Sequence, residues 1–126
     1  MKLLVGKTAL ISGASRGIGN AIAIAYANHG ADIAFTDLRR DEIMENTEAE
    51  LQALGVKAKG YASDASSFED SERVVNEVAA EFGRIDILVN NAGITRDNLL
   101  MRMGESDWDL VIKVNLKSAF NLTHAV

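Results

Sequence analysis

The stretch TALISGASRGIG, residues 8–19, decides the fold of this 126-residue chain. Its first part, Thr8–Ser12, is a short apolar run that predicts a buried strand. Gly13 lets the chain turn sharply out of that strand, Gly17 removes a side chain where backbone must approach a diphosphate, and Gly19 lets the following helix lie close to the strand. Strand, glycine loop and helix start together predict a phosphate-binding turn rather than the alternative, a plain tight turn.

Outward from this stretch, apolar strands alternate with amphipathic helices. We predict strands over residues 8–12, 32–37, 56–61 and 84–90, helices over residues 19–29, 41–54, 67–82 and 106–126, and a loop over residues 91–104. Ser67 and Ser106 are the predicted N-caps of the last two helices. Helical crossovers between strands predict an α/β fold, a doubly wound parallel sheet of about four strands in the order 3-2-1-4, within one partial domain over residues 1–126.

Composition and charge restrict the class of protein. The net charge of −5 argues against a nucleic-acid partner, because phosphate binding needs a clustered positive field. The chain lacks the roughly 18 consecutive apolar residues of a membrane span, and residues 1–6 do not resemble a secretory signal. The absence of cysteine excludes disulfides and thiolate metal sites and fits a reducing cytoplasm.

The end of the second predicted strand carries conflicting signals about the adenosine end of a dinucleotide. Asp37 lies roughly 20 residues beyond the glycine loop, where an acid typically accepts hydrogen bonds from ribose hydroxyls, and this favours NAD(H). Arg16, Arg39 and Arg40 carry guanidinium groups that suit the 2′-phosphate of NADP(H). Arg39 and Arg40 can also be read as solvated surface charges.

Three further polar features lie at strand ends or on the last helix. Asp64 can accept a hydrogen bond from the adenine amino group, or it is a turn aspartate. The run Asn90-Asn91-Ala92-Gly93 can tie strands together and shape a cofactor floor, or it is an Asn-rich turn. Asn115 sits on a predicted apolar stripe, so we expect a buried amide that holds a backbone group, a water or a catalytic side chain; the alternative is a half-solvated Asn. The stripe consists of Trp108, Val111, Ile112, Leu116, Ala119 and Val126.

These motifs, in this order and spacing, resemble the short-chain dehydrogenase/reductases, which have a Rossmann-type fold. The resemblance rests on the glycine loop, Asp64, residues 90–93 and Asn115 after Val114. Residues 90–103 further resemble the bacterial 3-oxoacyl-acyl-carrier-protein reductases within that family. The resemblance implies an oxidoreductase that uses NADPH to reduce a 3-oxoacyl thioester of acyl carrier protein to the 3-hydroxyacyl form in fatty-acid synthesis.

The resemblance also implies which residues bind the cofactor. By this resemblance the glycine loop holds the diphosphate, Ser15 and Arg16 lie on the adenosine phosphate side, and Asp64 and Ala65 contact adenine. The whole implied set is Gly13, Ser15, Arg16, Gly17, Ile18, Gly19, Asp37, Leu38, Asp64, Ala65, Asn90, Ala92 and Gly93.

The resemblance also assigns the nicotinamide end of the implied site, and two residues depart from the family's pattern. The resemblance places Asn90 and Gly93 under the riboses and makes Asn115 a catalytic member that holds a water in a proton relay. Ser12 stands where the family usually has Thr, and Asp37 stands where NADPH-using members often lack an acid. NAD(H) therefore stays open as the alternative cofactor.

The family's general acid, a Tyr with a Lys four residues later, has no match in this sequence. Four residues beyond Tyr26 is Gly30, and four beyond Tyr61 is Ala65. Since the sequence also stops within the last predicted helix, we expect a truncated or halved reductase that is inactive alone. The apolar run over residues 85–89 would form an exposed sheet edge, which predicts a homo-oligomer. The alternatives are a non-catalytic dinucleotide-binding fragment and a redox-sensing relative.

Overall fold

The computed structural model describes residues 1–93 and 100–126. The elements are β1 Thr8–Ser12, α1 Gly17–Asn28, β2 Asp32–Asp37, α2 Glu42–Gln52, β3 Ala58–Ala62, α3 Phe68–Phe82, β4 Ile87–Val89, a 3-10 turn Leu100–Arg102, α4 Glu105–Val111, a π-helical segment Ile112–Lys117 and α5 Ser118–Ala125. Among these described residues, none of the helices combines the length and the apolar composition that crossing a membrane requires.

The four strands form one parallel sheet in the order β3-β2-β1-β4, which confirms the predicted fold and strand order. All five residues of β1 are buried, because β1 pairs with β2 on one side and with β4 on the other. In this register Ile11 lies opposite both Phe35 and Val89. Parallel strands bring their carboxyl ends to one edge, so the loops after β1, β2, β3 and β4 meet there.

Side chains that alternate along the strands build two separate cores. One core, from β1 and β2 with helices α1 and α2, consists of Ala9, Ile11, Ile33, Phe35, Ala23, Ala27, Met44 and Leu51 among others. The other, from the opposite face with helices α3 and α5, contains Leu10, Ala34, Tyr61, Val74, Val78 and Leu122. A sheet covered on both sides by helices explains why its strands are continuous apolar runs.

Strand β4 is shorter than the predicted strand over residues 84–90. Just before the strand, Arg84 and Asp86 form a salt bridge, with 2.5 Å between Nη2 and Oδ1. Asp86 Oδ2 also accepts the backbone N–H of Thr8 at 2.9 Å. Asp86 N donates to Thr8 O at 2.9 Å, and the residues in register with β1 are Ile87–Val89.

The predicted helix over residues 106–126 is confirmed in extent, since residues 105–125 are helical throughout, but the predicted cap at Ser106 is wrong. The helix begins at Glu105 with Gly104 as its N-cap, and a π-helical segment separates α4 from α5. In π geometry each N–H bonds five residues back, so the faces of the helix before and after the segment lose their common register. The face that packs inward is that of Ser118, Asn121 and Leu122 on α5 rather than the predicted stripe.

Candidate functional site

The glycine loop turns out of β1 in a conformation that side chains rarely adopt. Gly13 and Gly17 have φ values of +68° and +66°, in the left-handed region that favours glycine. Gly13 N donates to Thr36 O at 2.8 Å, which fastens the loop to the end of β2. Arg16 is the N-cap of α1, and within the described part of the chain no side chain caps this helix. The start of α1 therefore offers N–H donors and a positive dipole end to an anion.

The end of β4 is bonded to the glycine loop through side chains. Asn91 Nδ2 donates to Gly13 O at 3.0 Å, and Ser12 Oγ accepts the backbone N–H groups of Asn91 at 3.1 Å and Ala92 at 2.9 Å. A Cβ on Gly19 would lie 2.5 Å from Asn91 Nδ2 and 2.7 Å from Gly13 O, so this close approach requires glycine. Sequence reasoning recognised the Asn-Asn pair but left Asn91 out of the site, although its amide is the one that holds the loop.

A cleft of about 260 Å³ opens where the strand ends meet. Eight of the residues implied by the sequence line it, namely Gly13, Arg16, Asp37, Leu38, Asp64, Ala65, Ala92 and Gly93. Thr36, Ser63, Ser66, Asn91 and Val114 complete its walls. A second hollow of about 290 Å³ shares Arg16, Asp37 and Leu38 with the cleft and adds Ser15, Arg39, Asp41 and Ile43.

The remaining implied residues lie beside the cleft in different ways. Gly17, Ile18 and Gly19 form the first turn of α1, and the side chain of Ile18 is 75% exposed. Asn90 Nδ2 donates to Thr123 Oγ1 at 3.1 Å, which directs this amide toward α5. Across residues 1–93 and 100–126, no group of three or more acidic, histidine or cysteine side chains could hold a metal ion.

Two buried hydroxyls at the site lack a hydrogen-bond partner among the described residues. Ser15 Oγ belongs to the glycine loop and Ser63 Oγ to the wall of the cleft, and these residues are 6% and 5% exposed. Leaving a buried hydroxyl unpaired costs about 1–3 kcal/mol. One such group just before the uncapped start of α1 and another on the cleft wall fit a polar, phosphate-bearing ligand. Ser63 was missed from the sequence because serine is common in turns.

Arg40 is occupied by other protein groups. Its guanidinium donates to both carboxylate oxygens of Glu48 at 3.0 Å and to Gly60 O at 2.9 Å, while Glu48 also accepts Gly60 N at 2.8 Å. Burial acts to raise the pKa of Glu48, but these hydrogen bonds outweigh it and hold that pKa below its usual range. Arg40 is thus a surface charge, 40% exposed in its side chain, whose guanidinium is engaged by Glu48 and by the backbone of β3 rather than by the hollow beside Asp37.

Asp37 stands at the end of β2, in a hollow that it shares with two guanidinium groups and with Asp41. Its Oδ1 accepts the backbone N–H of Leu38 at 2.9 Å, and Arg16 and Arg39 line the same hollow. A carboxylate suits the two ribose hydroxyls of NAD(H), whereas guanidinium groups suit a 2′-phosphate. The hollow therefore contains both a group that suits the ribose hydroxyls of NAD(H) and groups that suit the 2′-phosphate of NADP(H).

Asp64 has the geometry of a turn aspartate on the cleft wall. Its Oδ1 accepts from Ser66 N at 3.0 Å and Ser66 Oγ at 2.6 Å. Its backbone N–H donates to Asp70 Oδ2 at 2.9 Å, and this hydrogen bond is the main reason why the pKa of Asp70 is lowered. Asn121 on α5, fully buried, donates from Nδ2 to Ala65 O at 3.0 Å. Asn121 was missed from the sequence, although it holds the backbone of the same loop.

Asn115 lies in the π-helical segment and faces the end of β4. A Cβ added to Gly93 would lie 2.9 Å from Asn115 Oδ1, so the amide lies against the backbone there. The expectation that Asn115 is buried within an apolar stripe is wrong, because Asn115 is exposed. Trp108 and Leu116 of that stripe are 58% and 64% exposed. Of residues 90–103, those from 94 to 99 lie outside the described part of the chain.

Comparison with known sequences defines the family. The model of the short chain dehydrogenase family matches residues 7–126, so the chain belongs to this family. The chain is 44% identical over 123 residues to the 3-oxoacyl-[acyl-carrier-protein] reductase of Thermotoga maritima, which covers 98% of this chain and 50% of the relative. It is 46% identical over 121 residues to the reductase of that name from Escherichia coli, with 96% and 48% covered. The chain thus spans about half the length of the curated relatives it matches.

Solved structures agree on the fold and differ in the cofactor they contain. An NAD⁺-bound xylitol dehydrogenase superposes with a TM-score of 0.95 at 36% identity, over 99% of this chain and 48% of that one. A short chain dehydrogenase from Burkholderia cenocepacia in complex with NADP superposes with a TM-score of 0.91 at 39% identity, over 97% and 50%. The family binds nicotinamide dinucleotides and comprises oxidoreductases.

Proposed function

We propose that residues 1–126 form one partial dinucleotide-binding domain, the cofactor half of an NADPH-dependent 3-oxoacyl-acyl-carrier-protein reductase. The observation that carries this proposal concerns the described residues: the start of α1 has no side-chain cap, and the buried hydroxyls of Ser15 and Ser63, which line the hollow and the cleft, have no partner. The likeness to reductases of that name supplies the substrate class.

Each part of the cleft has a proposed task. The glycine loop, with Ser15, binds the diphosphate through N–H groups and the α1 dipole, and the Arg16 guanidinium serves the adenosine phosphate side. Asp37 and Leu38 face the adenosine ribose, and Asp64 with Ala65 faces adenine. Residues 90–93, with the Gly93 backbone exposed to the cleft, receive the nicotinamide ribose. When bound, the dinucleotide supplies a hydride to the carbonyl carbon of the substrate.

Asn115 is proposed to hold a water in a relay that delivers a proton to the reduced oxygen. The position of its amide against the backbone of Gly93, a residue that lines the cleft, supports this role. Neither Tyr26 nor Tyr61 has a Lys four residues later. We therefore propose that these 126 residues alone bind the dinucleotide without reducing the thioester.

We also propose that the protein acts as a homo-oligomer in the reducing cytoplasm. The outer face of α4 and α5 supports association, because Trp108, Leu116 and Phe120 expose between 57% and 64% of their surface. For the whole reductase, we propose that the macromolecular partner is the acyl-carrier-protein thioester.

Fluorescence titration of the chain with NADPH and with NADH tests the proposal. We expect saturable binding of both, with NADPH tighter because Arg16 and Arg39 face the adenosine side. Arg16→Ala should weaken NADPH about tenfold and leave NADH nearly unchanged, since only NADPH carries the 2′-phosphate.

The matched variant Asp37→Asn should tighten NADPH, because it removes a like charge from the same hollow. NADH is the alternative cofactor, favoured by the Asp37 carboxylate, and tighter binding of NADH would establish it. A chain that binds neither nucleotide would contradict the proposed function.

A further inference from the structure

We infer that Thr47 of α2 is a positioning residue for the diphosphate, an inference that rests on the proposed function. Thr47 Oγ1 donates to Ser15 O at 2.6 Å, a buried hydrogen bond that spans 32 residues of sequence. Thr47 is 5% exposed and Ser15 is 6% exposed. A helix outside the nucleotide-binding loop thereby holds a carbonyl group of that loop.

The place of Thr47 on α2 makes this contact rigid. The buried face of the helix consists of Met44, Thr47 and Leu51, and the two apolar members are fully buried one turn to either side. Asp41 caps the helix by accepting Met44 N at 3.0 Å. A hydroxyl on such an apolar face needs a partner, and Ser15 O is the partner that it has.

The contact removes an unfavourable dipole from the anion site. A carbonyl oxygen directed at a phosphate would repel it, whereas N–H groups attract it. Two carbonyls of the loop are engaged by side chains from other elements: Gly13 O by Asn91 Nδ2 at 3.0 Å, and Ser15 O by Thr47 Oγ1. In a planar trans peptide the C=O of Ser15 and the N–H of Arg16 point in opposite directions. Holding Ser15 O toward α2 therefore directs the N–H of Arg16 away from α2.

The test compares a ligand that has a diphosphate with one that lacks it. ADP-ribose and adenosine are titrated by NMR into the chain, as wild type, Thr47→Val and Thr47→Ser, at a temperature at which each variant is folded by circular dichroism. We expect Thr47→Val to raise the Kd for ADP-ribose about tenfold and to change the Kd for adenosine less than twofold. Thr47→Ser, which keeps the hydroxyl, should remain within about threefold of wild type for ADP-ribose.

Leu51→Val is the structural control, because it lies on the same face of α2 and should lower stability without changing either Kd. If Thr47→Val does not fold, Thr47→Ala is titrated in its place. Unchanged binding of ADP-ribose, or equal weakening of both ligands, would overturn the role of Thr47 while leaving the proposed function intact. Failure of wild type to bind ADP-ribose would instead remove the proposed function, and this inference with it.

Discussion

The glycine-loop region, residues 8–19, and the helical region before α5, residues 100–117, are built in opposite ways. In the first, β1 is entirely buried and the loop is bonded to β2, β4 and α2 through Thr36, Asn91 and Thr47. In the second, neither α4 nor the π-helical segment has a buried residue. Contacts from three other segments fix the first region, whereas no residue of the second, over 100–117, is buried.

The same truncation in the two regions should give the largest contrast in stability. Leu10→Ala removes a fully buried side chain from β1 and should lower the free energy of unfolding by about 2–5 kcal/mol. Leu116→Ala removes one that is 64% exposed and should change it by less than about 0.5 kcal/mol. Urea unfolding followed by circular dichroism measures both. Equal losses would contradict the contrast.

Gly19→Ala should be the next most damaging change. Its Cβ would lie 2.7 Å from a backbone oxygen of Gly13, which cannot rotate away as a side chain can. Overpacking of this kind costs about 1–3 kcal/mol, measurable as a lower urea midpoint. NADPH binding should weaken as well, because the start of α1 would be displaced. A variant with wild-type stability and affinity would show that this close approach is not required.

Ser67 is an N-cap in the structure, whereas Ser106 was predicted to be one and is not. Ser67 Oγ accepts Asp70 N at 3.2 Å at the start of α3, so Ser67→Ala should cost about 1 kcal/mol. Ser106 lies inside α4, after its N-cap Gly104, so Ser106→Ala should be neutral within about 0.5 kcal/mol. Thermal unfolding of the two variants at equal concentration tests this, and a costlier Ser106→Ala would restore the predicted cap.

The smallest expected effect is the pH dependence that Asp70 contributes. The hydrogen bond from Asp64 N is the main cause that lowers the pKa of the folded Asp70 carboxyl, so its stabilisation is present above its unfolded pKa of about 3.9 and is lost as the pH falls below it. Asp70→Asn should flatten unfolding free energy against pH between about 5 and 3, by less than about 1 kcal/mol because the group is partly solvated. Asp109→Asn, with the same charge change in α4, is the control; an equal flattening there would argue against the Asp70 hydrogen bond.

Sequence alone predicted the sheet because its signals are local. Thr8–Ser12 and Asp32–Asp37 were placed correctly to the residue, since each is a short apolar run that ends at a loop. The length of β4 could not be predicted in this way, because it depends on which residues come into register with Ala9–Ile11 of β1. The π-helical segment was missed because hydrophobic spacing assumes α-helical periodicity throughout.

The sequence indicated most of the residues that line the cleft, but not the side chains that hold its loops in place. The glycine loop and Asp64 are recognisable from type and spacing, and the cleft brings them together. Thr47, Asn91 and Asn121 act through hydrogen bonds to backbone carbonyls of loops that are distant in sequence. A pattern of neighbouring residues does not predict such a bond. The role of Arg40 was also invisible, because Glu48 and Gly60 become its partners only when α2 packs on β3.

Mapping NADPH on the chain by amide chemical shifts tests the central claim most directly. We predict saturable shifts at residues 13–19, 37–38, 64–65 and 90–93, at the carboxyl ends of the strands. The outer face of α4 and α5, at Trp108, Leu116 and Phe120, should remain unshifted. Shifts confined to that outer face, or no shifts at saturating NADPH and NADH, would contradict the assignment of this chain as the cofactor half of a reductase.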